Sequence, residues 1–389
     1  MPGDHALLSP SSASRWLYCT RAPRLEERFP ESTSRAAEEG TLAHAIAEVK
    51  ARAYFFDTPG DTDYRHELRT MRESPLYKSE MDRATDEYLD YLKSVTINLD
   101  SVYTVMLETR VQYDRYAPGG FGRADCLIWA PPVLYVVDYK NGAGVPVSPV
   151  ENPQMMLYAL GALDTYSAIY GKSIQGVALT IVQPNAGGVK EWSITRAELE
   201  QWGAAVVKPA AALAYAGEGQ FAPSEDRCRF CRAKEQCTAR RDHYLGLEAY
   251  SEKDPDLLTD KEIGDALTRA KGIKAWVSDL ESYALKKMLS GGVIPGYKVV
   301  EGRKSRDWSG GADTAFQELE KRGIEKALLW ERKPVTPAAL QKALGKKVYD
   351  KSVADMVLSK PGKPVLALES DEKPAYNSPE AVFEVIQNE

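Results

Sequence analysis

The spacing of apolar residues changes several times along the first half of the chain, and this pattern most restricts the fold. Between residues 102 and 140, apolar and polar residues alternate in three runs, SVYTVMLETRVQY, GFGRADCLIWA and VLYVVDYK, which turns containing proline and glycine separate. This pattern predicts three sequential strands in an antiparallel meander. Helical spacing precedes the meander at 34–54 and follows it at 152–170, and 175–183 predicts a further strand. The predicted core order is therefore helix, three strands, helix, strand, an α/β fold class.

Capping signals predict further helices on both sides of this core. Ser9 followed by Pro10 is typical of a helix start. Two capping boxes, Thr195 to Glu198 and Thr259 to Glu262, predict one helix in the middle of the chain and one of roughly thirty residues after it. The stretch 57–74 is polar and turn-rich, which predicts a loop.

An acidic run, SEKDPDLLTDKE at 251–262, predicts a domain boundary. We expect one domain over residues 1–250 and a smaller α+β C-terminal module over 251–389. The module is predicted to contain the long helix, a short strand with the sequence GYKVV and a small mixed region containing several prolines.

Composition excludes several classes of protein. With 43% hydrophobic residues and ordinary glycine and proline content, the chain is neither disordered nor collagenous. No run approaches about 18 apolar residues and the N-terminal segment lacks the pattern of a leader, so we expect no membrane span, no secretory signal and a cytoplasmic location. The net charge of −6 argues against a uniformly basic surface but permits a local basic groove.

Two charged residues interrupt the otherwise apolar third strand. Residues two apart on a strand share a face, so Asp138 and Lys140 are expected to point the same way and Tyr139 the other. Asp125, on the preceding strand, is expected to reach the same face. Two carboxylates around one point suit Mg²⁺ or Mn²⁺, and an adjacent lysine can help to deprotonate a metal-bound water. An isolated Asp-x-Lys pair, by contrast, is usually a surface ion pair.

Four short motifs occur in order along this core, GTLAH with His44, GRAD with Asp125, DYK with Asp138 and Lys140, and QMMLY with Gln154 and Tyr158. Over roughly residues 9 to 245, the chain resembles the PD-(D/E)XK nuclease superfamily and, within it, the RecB-like exonucleases, whose restriction-endonuclease-like core has the same order of elements. The resemblance implies that His44, Asp125, Asp138 and the backbone carbonyl of Tyr139 bind Mg²⁺ or Mn²⁺. It also implies that Lys140 acts on the attacking water, and that Gln154 and Tyr158 position DNA or the lysine.

Three of the five cysteines, Cys228, Cys231 and Cys237, lie within ten residues in the run CRFCRAKEQC. They supply one thiolate fewer than a tetrahedral zinc or an iron–sulfur cluster needs, and Cys19 is the candidate for the fourth. RecB-like nucleases of the AddB and CRISPR-adaptation types carry one cysteine before the core and three after it, which bind a [4Fe-4S] cluster, and this sequence resembles that layout. The spacing is also compatible with a structural Zn²⁺. Cys126 is expected to be a buried apolar residue.

Together these features predict a divalent-metal-dependent DNA exonuclease that carries an iron–sulfur cluster. The compact chain without a helicase motif resembles phage or prophage RecB-like proteins that process DNA ends for recombination. That resemblance implies a bacterial host cytoplasm and a phage recombinase or single-strand annealing protein as a candidate partner. The alternatives are an endonuclease on the same core and a non-catalytic DNA-binding or recruiting iron–sulfur protein.

Two basic groups are candidate DNA contacts. Between residues 226 and 243, six basic side chains stand against three acidic ones, in a chain that is acidic as a whole. They are Arg227, Arg229, Arg232, Lys234, Arg240 and Arg241. Arg303, Lys304 and Arg306 form the second group.

Overall fold

The computed structural model describes residues 6–30, 33–56, 63–171, 173–246, 259–300 and 312–322, together with the single positions 341, 345 and 350. The chain divides into two compact units, Met1–Val299 and Val300–Glu389. All the strands described below belong to the first unit.

A mixed five-stranded sheet lies at the centre of the first unit. Its strands are β1 Thr104–Gln112, β2 Phe121–Ala130, β3 Val133–Tyr139, β4 Gly176–Gln183 and β5 Gly188–Thr195. They lie in sequence order, and neighbours are antiparallel except for β3 and β4, which are parallel. The predicted meander and the strand at 175–183 are confirmed, whereas β5 was not predicted.

Helices of the first unit pack on both faces of the sheet, and the last of the helices named next belongs to the second unit. The described helices are α1 Ala13–Trp16, α2 Ala22–Glu26, α3 Arg35–Phe55, α4 Asp63–Arg72, α5 Ser79–Ile97, α6 Pro153–Thr165, α7 Ser167–Tyr170, α8 Arg196–Trp202, α9 Lys208–Ala216, α10 Glu225–Arg229, α11 Thr238–Leu245, α12 Asp260–Leu289 and α13 Ala312–Lys321. A 3₁₀ turn, Pro10–Ser12, precedes α1, and a π-helical turn, Gly203–Val207, joins α8 to α9. The first unit is therefore a mixed α/β fold in which helix, three strands, helix and strand follow one another as predicted.

Local sequence explains why the two helices beside the site begin where they do. The Ser34 hydroxyl accepts a hydrogen bond from the Ala37 N–H at 3.2 Å and so caps α3. At α6, the Asn152 side chain accepts from the N–H groups of Gln154 and Met155, and Pro153 occupies the first turn. Both helix starts therefore have a side-chain acceptor for their unpaired N–H groups.

Each face of the sheet packs against its own helices. On one face, the α6-side core contains Trp16 of α1, the apolar residues of α6, and Leu127, Trp129, Leu134, Val136, Leu179 and Ile181 of the sheet. On the other, the α3-side core contains Ile46 and Val49 of α3, Met81, Tyr88 and Leu92 of α5, and Cys126, Ile128, Val137 and Tyr139 of the sheet. Cys126 is fully buried, as predicted.

Two local predictions are wrong. The stretch predicted as a loop contains α4, which ion pairs hold in place: Arg52 of α3 lies 2.6 Å from Glu67, and Arg72 lies 2.9 Å from Asp82 of α5. The segment GYKVV, predicted as a strand, is irregular over residues 297–300 and pairs with no strand in the described part of the chain.

The predicted long helix is confirmed as α12, and Thr259 with Glu262 forms the predicted capping box at its start. α12 packs on α11, where Asp279 lies 2.7 Å from both Lys234 and Arg240. The domain boundary near residue 250 stays a prediction, and most of the C-terminal mixed region, including Arg303, Lys304 and Arg306, lies outside the described residues. Among the helices that are described, none combines the length and the apolar character that a membrane span requires.

Candidate functional site

Asp138 occupies a buried position near the end of β3, with only 2% of its side chain exposed. Lys140 follows the strand and its Nζ lies 2.9 Å from Asp138 Oδ2, so the predicted pair does form. The same Oδ2 accepts no hydrogen bond from the described residues, which leaves the ion pair as its compensation. A buried carboxylate oxygen of this kind is where a cation binds favourably.

Asp125 lies beside the end of the same strand, with 12% of its side chain exposed. Its Oδ2 accepts a 2.7 Å hydrogen bond from the Tyr139 N–H and lies 3.4 Å from Nδ1 of His44 on α3. The His44 ring packs edge-on against the Tyr139 ring at 5.3 Å between centroids. Asp125 therefore links α3 to the end of β3.

Burial and the neighbouring charges together shift the pKa values of Asp125 and Lys140. Burial raises the pKa of Asp125 to about 6, with His44 opposing the rise and the charge of Asp138 adding to it. Burial lowers the pKa of Lys140, but Asp138 and Asp125 outweigh burial and leave that pKa raised. The site is thus a partly buried region of excess negative charge, which a bound divalent cation would neutralise.

Glu108 of β1 is a site residue that the sequence reasoning missed. In the described part of the chain, it forms with His44 and Asp125 a group whose potential ligand atoms all lie within 4.8 Å of one another. Burial, together with the charges of Asp125 and Glu48, raises the pKa of Glu108 to about 8. The available signal was a carboxylate directly after the apolar run VML, opposite Asp125 in a predicted meander.

A backbone irregularity places Glu108 and Asp125 opposite each other. Glu108 has φ +44°, a left-handed conformation that costs a glutamate energy. Leu107 pairs with Cys126 and Thr109 with Ala124 on either side of it. Around this point the alternation of faces reverses, because Cys126 packs in the α3-side core and Ala124 in the α6-side core. The carboxylates of Glu108 and Asp125 consequently belong to neither of the two cores.

The first turns of α6 contact the other side of Asp138. The Gln154 amide lies 3.5 Å from Asp138 Oδ1 and donates a 3.1 Å hydrogen bond to the Tyr158 hydroxyl. Tyr158 packs close to Gly122, where an added Cβ would lie 2.8 Å from its ring. The glycine of the GRAD motif therefore makes room for the tyrosine of the QMMLY motif, and the predicted residues of all four motifs lie at one end of the sheet.

The four predicted cluster cysteines, Cys19, Cys228, Cys231 and Cys237, line one pocket. The Ala222 N–H donates a hydrogen bond to Cys19 Sγ at 3.3 Å. Burial raises the pKa of Cys231 to about 12, so a metal must displace the thiol protons to bind. Cys126 lies apart, in the α3-side core.

The spacing of these sulfurs bears on which metal fits. Zinc–sulfur bonds of about 2.3 Å would place tetrahedral thiolates about 3.8 Å apart. Among the described residues, the cysteines form no group of three whose sulfurs lie within 4.8 Å of one another. In the described part of the chain, no three of these sulfurs are therefore as close together as the ligands of one tetrahedral zinc.

The basic side chains near these cysteines are only partly available. Asp279 pairs with Lys234 and Arg240, and Asp242 pairs with Arg241. The Arg227 guanidinium donates to the Ala222 carbonyl at 2.9 Å. The candidate DNA contacts of this segment are therefore fewer than its composition indicated.

Comparison with known proteins finds similar solved structures, one of which is named here, and a family. The structure described as "Crystal structure of SSO0001" is 15% identical with a TM-score of 0.24, covering 52% of this chain and 98% of that chain. The family described as "Protein of unknown function (DUF2800)" matches residues 5–374, nearly the full length, and the chain therefore belongs to that family.

Proposed function

We propose that this protein is a Mg²⁺- or Mn²⁺-dependent deoxyribonuclease with a PD-(D/E)XK core, acting as an exonuclease on DNA ends. The observation that carries the proposal is that residues of the four motifs meet at one end of the sheet, around the Asp125 carboxylate and the buried carboxylate of Asp138. Lys140 and Gln154 contact it directly, and Asp125 lies close enough for the two acidic charges to repel. A second, largely buried carboxylate beside the first adds a negative charge that a divalent cation would offset.

The donors fit a hard divalent cation. His44, Asp125, Asp138 and the Tyr139 carbonyl would hold it, and Glu108 adds a further oxygen ligand beside His44 and Asp125. When bound, such a cation polarises the phosphodiester and acidifies a water molecule. One of these ligands is held in position by the backbone, because the Tyr139 N–H donates to an Asp125 oxygen at 2.7 Å.

The remaining site residues act on DNA and on the attacking water in this proposal. Lys140, held by Asp138, orients the water and offers a positive charge to the phosphate. Gln154 holds the Tyr158 hydroxyl at 3.1 Å, so the two side chains position the DNA backbone or the lysine as a pair.

The four cysteines complete the proposal as the ligands of a [4Fe-4S] cluster. Cys19 and Cys228 are 209 residues apart, so a shared cluster closes a very long loop. The loop-closure relation for disulfides gives about 5 kcal/mol of stabilisation. Protein purified without oxygen is expected to be brown, with broad absorbance at roughly 400 nm. Colourless protein with one zinc per chain would favour the zinc alternative.

End-labelled linear DNA tests the activity. With Mn²⁺ and a label at either end in turn, an exonuclease releases labelled mononucleotides or short fragments from an end and leaves a closed circle intact. Cutting of the circle would instead identify an endonuclease, and no cutting of any substrate would favour the non-catalytic alternative. The proposed role in phage recombination, with a recombinase or annealing protein as partner, rests on sequence resemblance alone.

A further inference from the structure

Arginine and aromatic side chains pair repeatedly on the surface around the cysteine pocket. Arg24 lies over Tyr215, Arg21 over Phe221, Arg227 over Tyr18 and Arg229 over Phe230, at 4.9 to 5.5 Å from guanidinium carbon to ring centroid. All four pairs fall within the short segments 18–24 and 215–230. Roughly one such pair per 70–80 residues is usual, so this density is far above the average.

The two segments run side by side in opposite directions, which arranges these pairs in a row. The Arg24 side chain donates to the Tyr215 carbonyl at 2.8 Å, and the Thr20 hydroxyl donates to the Glu218 carbonyl at 3.0 Å. Nearer the pocket, the Ala222 N–H donates to the sulfur of Cys19. We call the eight side chains the arginine–aromatic row.

Several groups in this row are available for a ligand. Phe230 is 77% exposed, Tyr18 55% and Tyr215 45%, which is unusual for aromatic side chains of a folded chain. Arg21 and Arg229 are exposed, and neither side chain makes a hydrogen bond or ion pair with a described residue. The row thus offers flat apolar surfaces beside unpaired positive charges.

We infer that the arginine–aromatic row binds an unpaired DNA strand, with bases stacking on the exposed rings and phosphates contacting Arg21 and Arg229. Stacked rings interleaved with arginines are the means by which proteins bind single strands regardless of sequence. A duplex fits less well, because its bases are stacked and paired inside the helix. Its binding then depends on the net positive charge of the protein surface. The two segments carry four arginines against Glu218, Glu225 and Asp226, a net charge of only +1. The inference rests on the proposed function, in that DNA is taken as the substrate.

Binding without cleavage tests the row. A fluorescein-labelled oligothymidylate and a blunt hairpin duplex are titrated with the full-length holoprotein in EDTA, and fluorescence anisotropy gives Kd. We expect tighter binding of the single strand. Phe230→Ala and Tyr215→Ala should each weaken single-strand binding about tenfold, while Phe56→Ala, which removes a 55% exposed ring at the end of α3, should leave it unchanged. Arg229→Ala should reduce the slope of log Kd against log salt by about 0.7.

Two readouts keep the outcome interpretable. Phe230 lies between two cysteines, so absorbance near 400 nm and thermal unfolding must match those of the wild type, and Tyr215 tests the row from outside that loop. Equal affinity for duplex and single strand, or wild-type binding by both alanine variants, would overturn the inference. If the wild type binds the single strand through the row but cleaves no DNA with Mn²⁺, the nuclease proposal fails and the row stands. If cleavage occurs and the row variants bind normally, the reverse holds.

Discussion

The carboxylate site and the cysteine pocket are assembled in different ways. Asp125, Asp138 and Lys140 lie within sixteen residues of sequence, on or directly after strands of the sheet, where Asp138 pairs with Ile181 and the Lys140 N–H donates to the Val182 carbonyl. Cys19 and Cys228 come from segments 209 residues apart, whose contacts in the described part of the chain include the hydrogen bond from the Ala222 N–H to Cys19 Sγ. A site built on a sheet tolerates loss of its cation without loss of fold, whereas a site that joins distant segments contributes to the fold itself.

The largest expected effect tests the cysteine side of this comparison. Cys19→Ser should abolish the visible absorbance and lower the free energy of unfolding by about 5 kcal/mol, because the long loop is no longer closed. Denaturant unfolding of the holoprotein measures the change. Cys126→Ala is the matched control, since Cys126 lies in the core and not in the pocket, and it should keep the colour. Retained colour in Cys19→Ser would remove Cys19 from the ligand set.

The next largest effect tests the carboxylate site, where substitutions should reduce cleavage and leave the stability of the fold unchanged. Asp138→Asn and Lys140→Ala should each reduce Mn²⁺-dependent cleavage by about 10³-fold or more, because the cation loses a carboxylate or the water loses its orienting group. The visible absorbance of both variants should equal that of the wild type. Cleavage at wild-type rates would refute the assignment, and lost absorbance would refute the independence of the two sites.

A smaller effect, on stability, is expected at Asp82, a carboxylate outside both sites that forms hydrogen bonds with other side chains. Burial raises the pKa of Asp82, but hydrogen bonds from Arg72, Tyr77 and Lys50 outweigh it and lower the pKa to about 2. A carboxyl group with a depressed pKa stabilises the fold above its ordinary pKa of 3.8, and the stabilisation is lost as pH falls from there toward 2. Asp82→Asn should therefore cost about 2 kcal/mol at pH 7. The free energies of unfolding of the two proteins, measured in urea as a function of pH, should converge near pH 2. A difference that does not depend on pH would contradict a stabilisation by the Asp82 charge.

The smallest effect tests whether Glu108 belongs to the cation site. Glu108→Gln should weaken Mn²⁺ binding about tenfold, as loss of one oxygen ligand or its orienting contact typically does. Isothermal titration with Mn²⁺ alone measures it in the absence of DNA. Glu48→Gln is the matched control, because Glu48 is near Glu108 but lies outside the group of three ligand residues. Equal weakening by both variants would mean that only the total negative charge matters.

Sequence reasoning located the parts of this molecule that depend on periodicity. The meander, the strand at 175–183 and the two capping boxes follow from alternation and capping chemistry, which are local. Asp125, Asp138 and Lys140 were identified because charged residues in apolar strands are conspicuous.

What sequence missed depends on contacts between distant residues. α4 is polar and becomes a helix because ion pairs with α3 and α5 support it. Glu108 joins the site through a positive φ that reverses the alternation of the sheet, and no propensity predicts that conformation for glutamate. β5 follows β4 after a short turn in which Gly187 and Gly188 both have positive φ, and its half-exposed edge position gives a weak hydrophobic pattern.

The long loop that the cysteine pocket closes also has a consequence for biosynthesis. Glu26, which pairs with Arg15 and accepts a hydrogen bond from the Arg232 N–H, makes the N-terminal segment dependent on the same late residues. At typical translation rates, a ribosome needs roughly 10–40 s to travel from Cys19 to Cys228. During that time the N-terminal helices exist without the segment that packs on them, so the proposed [4Fe-4S] cluster would be inserted at the end of synthesis and not at its beginning.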